Sequence, residues 1–469
     1  MTELRLLPSA VAVWVAVAVV LVTRSGWPGV IPVIAGAGAA VLCRAPGQAL
    51  LVTGCGAFAV ITTWIRVRAA DQHRLTTVRR TVSDGRVVTG PTEIADGTWL
   101  LRLRLPGYPA DVPVFLRGHE RPPAVVGSTV RVDAVVGAAD RPGTGTVVLN
   151  ARSLVELEGP SGPAWFAAHV RDAFVRSTSR WMDPESAGLV RGMVLGDTDG
   201  QSVEQRRMYL DTGLSHLSAV SGSNVAVATT AAVLLARALT LDPRVQVSCA
   251  GVTLVAFVGL VGTEPSVLRA AVTGTVGLVA VLASTRAEPV HALNLAVIIL
   301  LWWRSDLAVS YGFALSVAAT GGIIMLHPLF HRPLAATGWP AVVVRALSVA
   351  VAADIVTMPI IALMAGKISL VSVAANVLVA PAVAPVTVIG LGAALLAALP
   401  GPGAALAGPL LLLLEPCASW ITGVARVLSA LPLSTVPVAD GWLGVAWVTL
   451  GCCWVVWLIP ASRPPRQRR

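Results

Sequence analysis

Hydrophobic positions along the chain follow two different rhythms. Residues 7–22, 30–42 and 49–65 are predominantly apolar stretches without a charge. They are separated by Thr23-Arg24-Ser25-Gly26-Trp27-Pro28 and Arg44-Ala45-Pro46-Gly47, where glycine, proline and arginine stop a helix. Each run reads as a membrane-crossing helix. The second is short for a hydrocarbon core that needs about 20 residues, so it is tilted, extended by its flanks, or paired with the third as a hairpin. Two further runs follow the first, which therefore reads as a span and not as a cleavable signal.

Between residues 79 and 158 the period changes to two. Trp99-Leu100-Leu101-Arg102-Leu103-Arg104-Leu105 carries the alternation, and shorter stretches at 112–116, 129–135 and 146–149 are further strand candidates. Asp84-Gly85, Asp96-Gly97 and Arg141-Pro142-Gly143 punctuate them. About five short strands without helices suit a small all-β barrel of the OB type. Alternation puts Trp99 with Leu101, Leu103 and Leu105 on the core face and turns Arg102 and Arg104 outward. Residues 164–183 return to a helical period, with Phe166, Val170, Phe174 and Trp181 opposed to Arg171, Arg176 and Arg180. This amphipathic helix lies along a membrane interface or packs on the barrel. From residue 186 to 460 the chain is again mostly apolar, with roughly eight to ten spans by length, among them separate stretches at 368–383 and 386–399. Pro359, Pro381 and Pro385 interrupt this region. Broken helices persist at membrane depth only where protein or a wet cavity satisfies the freed backbone.

Composition sharpens the picture. Of 469 residues, 55% are hydrophobic and only 13% charged, against about 25% in soluble domains. Disorder, a collagen-like fibre and a secreted disulfide scaffold are excluded, and a polytopic membrane protein remains. The net charge of +10 is carried by arginine, with Lys367 the one lysine. In a membrane protein that excess reads first as topology. Cys43, Cys55, Cys249, Cys417, Cys452 and Cys453 lie in or beside apolar runs without a metal-binding spacing. No cofactor or metal is expected.

Ionisable groups in apolar spans usually face a cavity or a partner. Arg269 and Asp354 are the main cases, with Arg345 near a helix end; Arg269 faces a polar pathway or snorkels. The richest polar stretch runs from Gly188 through Asp197 and Asp199 to Ser215-His216-Leu217-Ser218-Ala219-Val220-Ser221-Gly222-Ser223-Asn224. These serines and Asn224 cap a helix or line a cavity. Ser221 near His216 also admits a serine-enzyme reading, but without a G-x-S-x-G frame.

Several blocks resemble the ComEC family of competence proteins, in the family's order. They are Gly188 to Asp199 followed by Gly213-Leu214-Ser215-His216-Leu217 and Ala219-Val220-Ser221-Gly222; Pro265-Ser266-Val267-Leu268-Arg269-Ala270; Asp306 to Ser316, with Ala319-Thr320-Gly321; and Ile368-Ser369-Leu370-Val371-Ser372, with Asn376 and Pro381. The resemblance implies an OB-like domain on the outer side and a helical domain forming a path for single-stranded DNA. Many relatives end in a metallo-β-lactamase-like domain, whose H-x-H-x-D-H cluster does not occur in this sequence. Nuclease chemistry is therefore expected elsewhere, in a separate nuclease. Asn224 stands where part of the family has His, and Ala314 and Asp354 where Gln is common; an acid beside a polyanion is electrostatically unfavourable. The resemblance places the N-terminus inside and, after three spans, the barrel outside. Arg66, Arg68, Arg74, Arg79 and Arg80 after the third span oppose that orientation, but long domains translocate largely regardless of charge.

The expected fold class is thus a polytopic α-helical membrane protein with an inserted small all-β, OB-like soluble domain. Its expected parts are N-terminal helices at 1–70, the barrel at 79–158, the amphipathic helix at 164–183, a competence channel domain at 186–460 and a basic cytoplasmic tail at 461–469. The expected function is a non-enzymatic inner-membrane channel for single-stranded DNA in natural transformation. Its path residues would be Asp197, His216, Ser218, Ser221, Asn224, Arg269, Gly312, Ser316, Asp354, Asn376 and Pro381. In the barrel, Arg102, Arg104 and Arg117 would touch the DNA backbone. A G-x-x-x-x-G-K-[ST] phosphate loop is absent from the sequence, so a DNA receptor and ATP-driven translocation proteins would be the partners, besides membrane lipid. The alternatives are a secondary transporter using Asp354 as an ion or proton site, and an intramembrane enzyme using Ser221 and His216.

Overall fold

A computed structural model of the chain describes residues 6–95, 97–282, 288–439 and 441–458. The tail at 461–469 and Asp96 of the Asp96-Gly97 turn lie outside the described residues. The chain divides into two compact units. One holds Met1–Phe174, Val247–Glu264 and Ala271–Ser310; the other holds Val175–Gln246, Pro265–Ala270 and Tyr311–Arg469.

The first unit opens with α1 (Leu7–Thr23), α2 (Gly26–Leu42) and α3 (Pro46–Asp71), which pack on one another. Val13, Ala16, Val17 and Val20 of α1 are fully buried, a stripe at helical spacing that faces the neighbouring helices. α2 begins four residues before its apolar run, absorbing Gly26-Trp27-Pro28, and it also packs against α3. Pro46 starts α3, where its missing N–H leaves nothing unpaired.

Five strands follow: β1 (Arg80–Ala95), β2 (Thr98–Arg104), β3 (Asp111–Arg117), β4 (Thr129–Ala138) and β5 (Val147–Glu158). They close a barrel in the order β1-β2-β3-β5-β4, with β3 and β5 parallel and the other pairs antiparallel, an OB-like arrangement. β1 is long enough to serve two neighbours. Arg80–Arg86 pairs with β4, and register shifts at Val87/Thr89 and Thr89/Thr92 bend the rest onto β2. Leu101, Leu103, Val112, Val114, Val130, Val132 and Leu149 fill the interior, and Ala70 at the end of α3 and Leu75 in the 3-10 turn Arg74–Thr76 after it pack against them. Trp99 is turned inward and Arg102 and Arg104 outward, as alternation requires.

Next come α4 (Pro163–Trp181), α5 (Pro184–Leu195), α6 (Val203–Asp211), α7 (Gly222–Ala238), α8 (Pro243–Val261), α9 (Pro265–Leu282) and α10 (Pro289–Trp303). A 3-10 turn, Ser305–Val309, leads to α11 (Tyr311–Ala335), α12 (Ala341–Ala365), α13 (Ser372–Ala397), α14 (Gly403–Ser429) and α15 (Trp442–Leu458). In the first unit α10 packs on α1 and α3; in the second, α13 packs on α5, α7, α12 and α14, and α12 on α11 and α15. Among the described residues α3, α8, α9, α11, α12, α13 and α14 are long and apolar enough to cross a membrane, and α1, α2, α7, α10 and α15 are shorter apolar helices. The chain is a polytopic α-helical membrane protein carrying a small OB-like barrel.

Two expectations are corrected. Asp84-Gly85 does not separate strands, since both residues lie inside β1 and pair with Arg131 and Val130 of β4. The stretches at 368–383 and 386–399 are not two spans. α13 is a single 26-residue helix with Pro381 and Pro385 inside it. It packs closely against α14, whose Trp420 indole donates to Leu378 O at 2.9 Å, beside Pro381. The polar residues before it, Lys367–Ser369, form a short strand β6 that pairs with β7 (Thr435–Pro437). This two-stranded ribbon ties the α12–α13 link to the α14–α15 link.

Candidate functional site

The glycine-rich block at the end of α5 positions the serine segment that follows. α5 ends at Gly196 in the left-handed region, whose N–H returns to Gly192 O, while Asp197 N–H returns to Arg191 O. That closure leaves Met193 O for another donor. Asn224, in the first turn of α7 and only 1% exposed, supplies it: Nδ2 lies 2.8 Å from Met193 O. A Cβ on Gly192 would sit 2.1 Å from Ser218 O, so the loop before α7 runs in direct contact with α5. Gln201, 3% exposed, bridges the same parts by donating to Gly188 O at 3.3 Å and Ser218 O at 2.8 Å. Ser218 Oγ donates to Ser215 O. Asp197 accepts the Asp199 N–H in a local turn.

Around the start of α7 the polar groups converge. Ser221 Oγ bonds Ser223 Oγ at 2.5 Å and donates to Asn224 Oδ1 at 3.2 Å. A Cβ on Gly222 would lie 2.6 Å from Arg269 Nη2 and 3.0 Å from Ser266 O, so the guanidinium presses against the first turn of α7. Arg269 Nε donates to Ser316 Oγ of α11 at 2.7 Å. Gly312, exposed, lies one turn before Ser316 on α11. The helix start carries positive partial charge, and Arg269 adds a full one. Two positive features surrounded by hydroxyls make a locus that favours an anion.

A second cluster gathers on Ser372. Its hydroxyl donates to Asp354 Oδ1 of α12 at 2.7 Å, and its carbonyl accepts from Asn376 Nδ2 at 2.9 Å. Gly213, at φ +70°, approaches so closely that a Cβ would lie 2.6 Å from Ser372 Cβ, and Gly213 O is 3.0 Å from His216 Nδ1. His216, Asp354 and Asn376 thus belong to one neighbourhood. Ser221 and His216 bond to different partners and form no nucleophile–base pair. Pro381 is on an exposed face of α13. Lys367 forms an ion pair with Asp211.

On the barrel, Arg102 and Arg117 are exposed, whereas Arg104 is engaged by Asp111 at 2.8 Å. Arg131 pairs with Asp84 and Arg80 with Asp133. The hydrogen bonds from Arg131 and Arg80 hold these two carboxyls below their usual range. The Trp99 indole donates to Gly118 O inside the barrel wall, so it offers no exposed stacking face. Among the described residues, no three His, Cys, Asp or Glu side chains gather as a metal site. Sequence reasoning passed over Gln201, Gly192 and Ser372 as site residues. Gln201 carries no periodic signal, but Gly192 and Ser372 lie inside the blocks that carried the resemblance.

The sequence pattern of the Competence protein family matches residues 193–462. The chain is also similar to ComE operon protein 3 of Bacillus subtilis (strain 168), with 27% identity over 232 residues. That match covers 49% of this chain and 29% of the relative, so the chain spans well under half of the relative's length. No solved structure matches. The matched region takes in α7, Arg269, Ser316 and the Ser372 cluster, and more than half of the residues lie within it: the chain belongs to the Competence protein family.

Proposed function

We propose that this protein takes part in competence DNA uptake by conducting single-stranded DNA across the cytoplasmic membrane. The observation that carries the reading is the Arg269 guanidinium set against the start of α7 and hydrogen-bonded to Ser316. A phosphate backbone entering an apolar bundle needs fixed positive charge and neutral hydroxyls, not carboxylates, along its way. Ser221 and Asn376 would extend that lining, with the buried Ser218 and Asn224 holding the loop behind it, Asp197, His216 and Asp354 beside it and Gly312 and Pro381 shaping the backbone. Membership of the Competence protein family and the similarity to ComE operon protein 3 support the same reading. Three helices precede the barrel, so with the N-terminus in the cytoplasm the barrel stands outside, where Arg102, Arg104 and Arg117 would meet incoming strands; the C-terminus returns to the cytoplasm. A DNA receptor, ATP-driven translocation proteins and a separate nuclease would complete the machinery.

The test is transformation of a deletion strain complemented with the full chain, with membrane levels matched. Arg269→Ala should lower transformation at least about tenfold, the scale of one lost charge-assisted contact of about 1.5–3 kcal/mol. Arg269→Lys should retain part of it. Normal transformation by the Arg269→Ala strain would remove the basis of the proposal.

A further inference from the structure

In OB-type barrels the loop between β4 and β5 commonly belongs to the ligand-binding surface. Here the tip of loop 139–146, at Gly143 and Thr144, has backbone atoms bonded by side chains from the helical part of the same unit. Thr144, though in a hairpin loop, is 2% exposed. Its N–H donates to Asp306 Oδ1 at 2.6 Å. Gly143 O and Thr144 O accept from Arg24 Nη1 at 2.9 Å and Nη2 at 3.1 Å. Arg24, at the C-cap of α1, is fixed in turn by Asp71 at the end of α3, 2.6 Å away.

Asp306 is held just as closely. It lies in the turn Ser305–Val309, where Ser305 Oγ bonds Thr63 Oγ1 at 3.0 Å and accepts from Arg66 at 3.0 Å, while the Trp14 indole donates to Ala308 O at 2.9 Å. The loop sequence Gly143-Thr144-Gly145 suits this approach. A Cβ on Gly143 would lie 3.4 Å from Asp306 Oδ1, and one on Gly145 would lie 2.8 Å from Tyr108 Oη. A second anchor sits at the start of β3: the Asp111 carboxylate, 8% exposed, receives Arg104 and Arg304, each at 2.8 Å. Exposed ion pairs contribute little, but Asp306 and Arg24 pair with backbone atoms of Gly143 and Thr144 that burial would otherwise leave unsatisfied.

We propose that the turn 305–309 and Arg24 form a latch that clamps the β4–β5 loop onto α1 and α3, making that loop a docking element of the barrel and leaving ligands only its other faces. The Asp306 block, which stood out in the sequence as a motif, thereby gains a definite role, because its carboxylate positions the barrel. This inference does not depend on DNA passing through the second unit, because the latch and its readouts lie within the first.

Hydrogen exchange on the full chain in lipid nanodiscs tests it. In the wild type the Thr144 amide should be protected. In Asp306→Ala and in Arg24→Gln it should exchange at least about tenfold faster while β4 and β2 keep their protection, the pattern of a local opening. As a second measurement, a Thr144→Cys thiol, whose backbone bonds remain, should react with a water-soluble maleimide slowly in the parent and at least about tenfold faster once Asp306→Ala is added, read by peptide mass. Unchanged exchange and labelling in the variants would overturn the latch. Loss of protection throughout the barrel in both variants would overturn it equally, since it would assign these residues to barrel folding and not to docking.

Discussion

Asn224→Ala separates two roles that the same residue can perform, lining a path and capping a helix. Asn224 is almost wholly buried and spends its amide N–H on Met193 O, a carbonyl at the C-terminal end of α5 that the Gly196 turn leaves unpaired. Alanine removes the donor and leaves that carbonyl buried. In water-soluble proteins such an orphan costs about 1–3 kcal/mol. Between membrane helices the net value of one side-chain bond averages about 0.6 kcal/mol, because the separated helices find other partners. α7 is apolar and its start faces a polar loop, so a loss of about 1–2 kcal/mol is expected, a factor of about 5–30 in the folding equilibrium. Leucine should do no better, since it also lacks a donor. Histidine, which the resemblance places here in part of the family, should restore much of the loss because an imidazole N–H can reach the same carbonyl. Thermal unfolding of the purified full chain, with each variant in the same detergent, measures this. If Asn224→Ala and Asn224→Leu unfold at the wild-type temperature, or if Asn224→His is no better than either, the amide is not capping α5.

Two further outcomes follow from the geometry. Gly192→Ala places a methyl 2.1 Å from Ser218 O and 2.6 Å from Gln201 Nε2. The loop before α7 must move and the Gln201 bridge must break, so a loss of about 1–3 kcal/mol or more is expected from overpacking; an unchanged unfolding temperature would contradict the close approach of loop and helix. In the barrel, Asp84 and Asp133 are held below the ordinary carboxylate range by Arg131 and Arg80. The folded barrel then binds fewer protons than the unfolded chain. Their contribution is complete above the unfolded value of about 3.9 and is lost as pH falls through the lower folded values. Pulse proteolysis mapped to the barrel across this acid range should show a steeper loss in the wild type than in the Asp84→Asn, Asp133→Asn double variant, and superimposable curves would refute the linkage.

Much of the architecture was legible because it rests on local period. The apolar runs announced α1 to α3, and alternation around Trp99 assigned the inward and outward faces of β2 from residue order alone. β1, the longest strand, was not legible: Arg80–Ala95 contains two glycines, a proline and several charges, and it is a strand because β2 and β4 both pair with it. The α13 prolines misled for a similar reason. A proline removes one backbone donor wherever it stands, but whether the helix continues depends on what packs beside it, here α14 along its length.

The candidate site divides along the same line. Residue types and blocks in order pointed to Arg269, Asn224, Ser221, Ser316, Asp354 and Asn376. They did not say that Asn224 is spent on α5, that Ser372 joins Asp354 to Asn376, or that Asp306 holds the barrel loop. Membrane character, barrel periodicity and the kinship of the chain were determined by the sequence alone, since hydrophobic burial and strand alternation act between near neighbours. Which polar groups meet was decided only by the tertiary structure: Arg24 reaches Gly143, and Arg269 reaches Ser316, across stretches of chain whose closure no local pattern records.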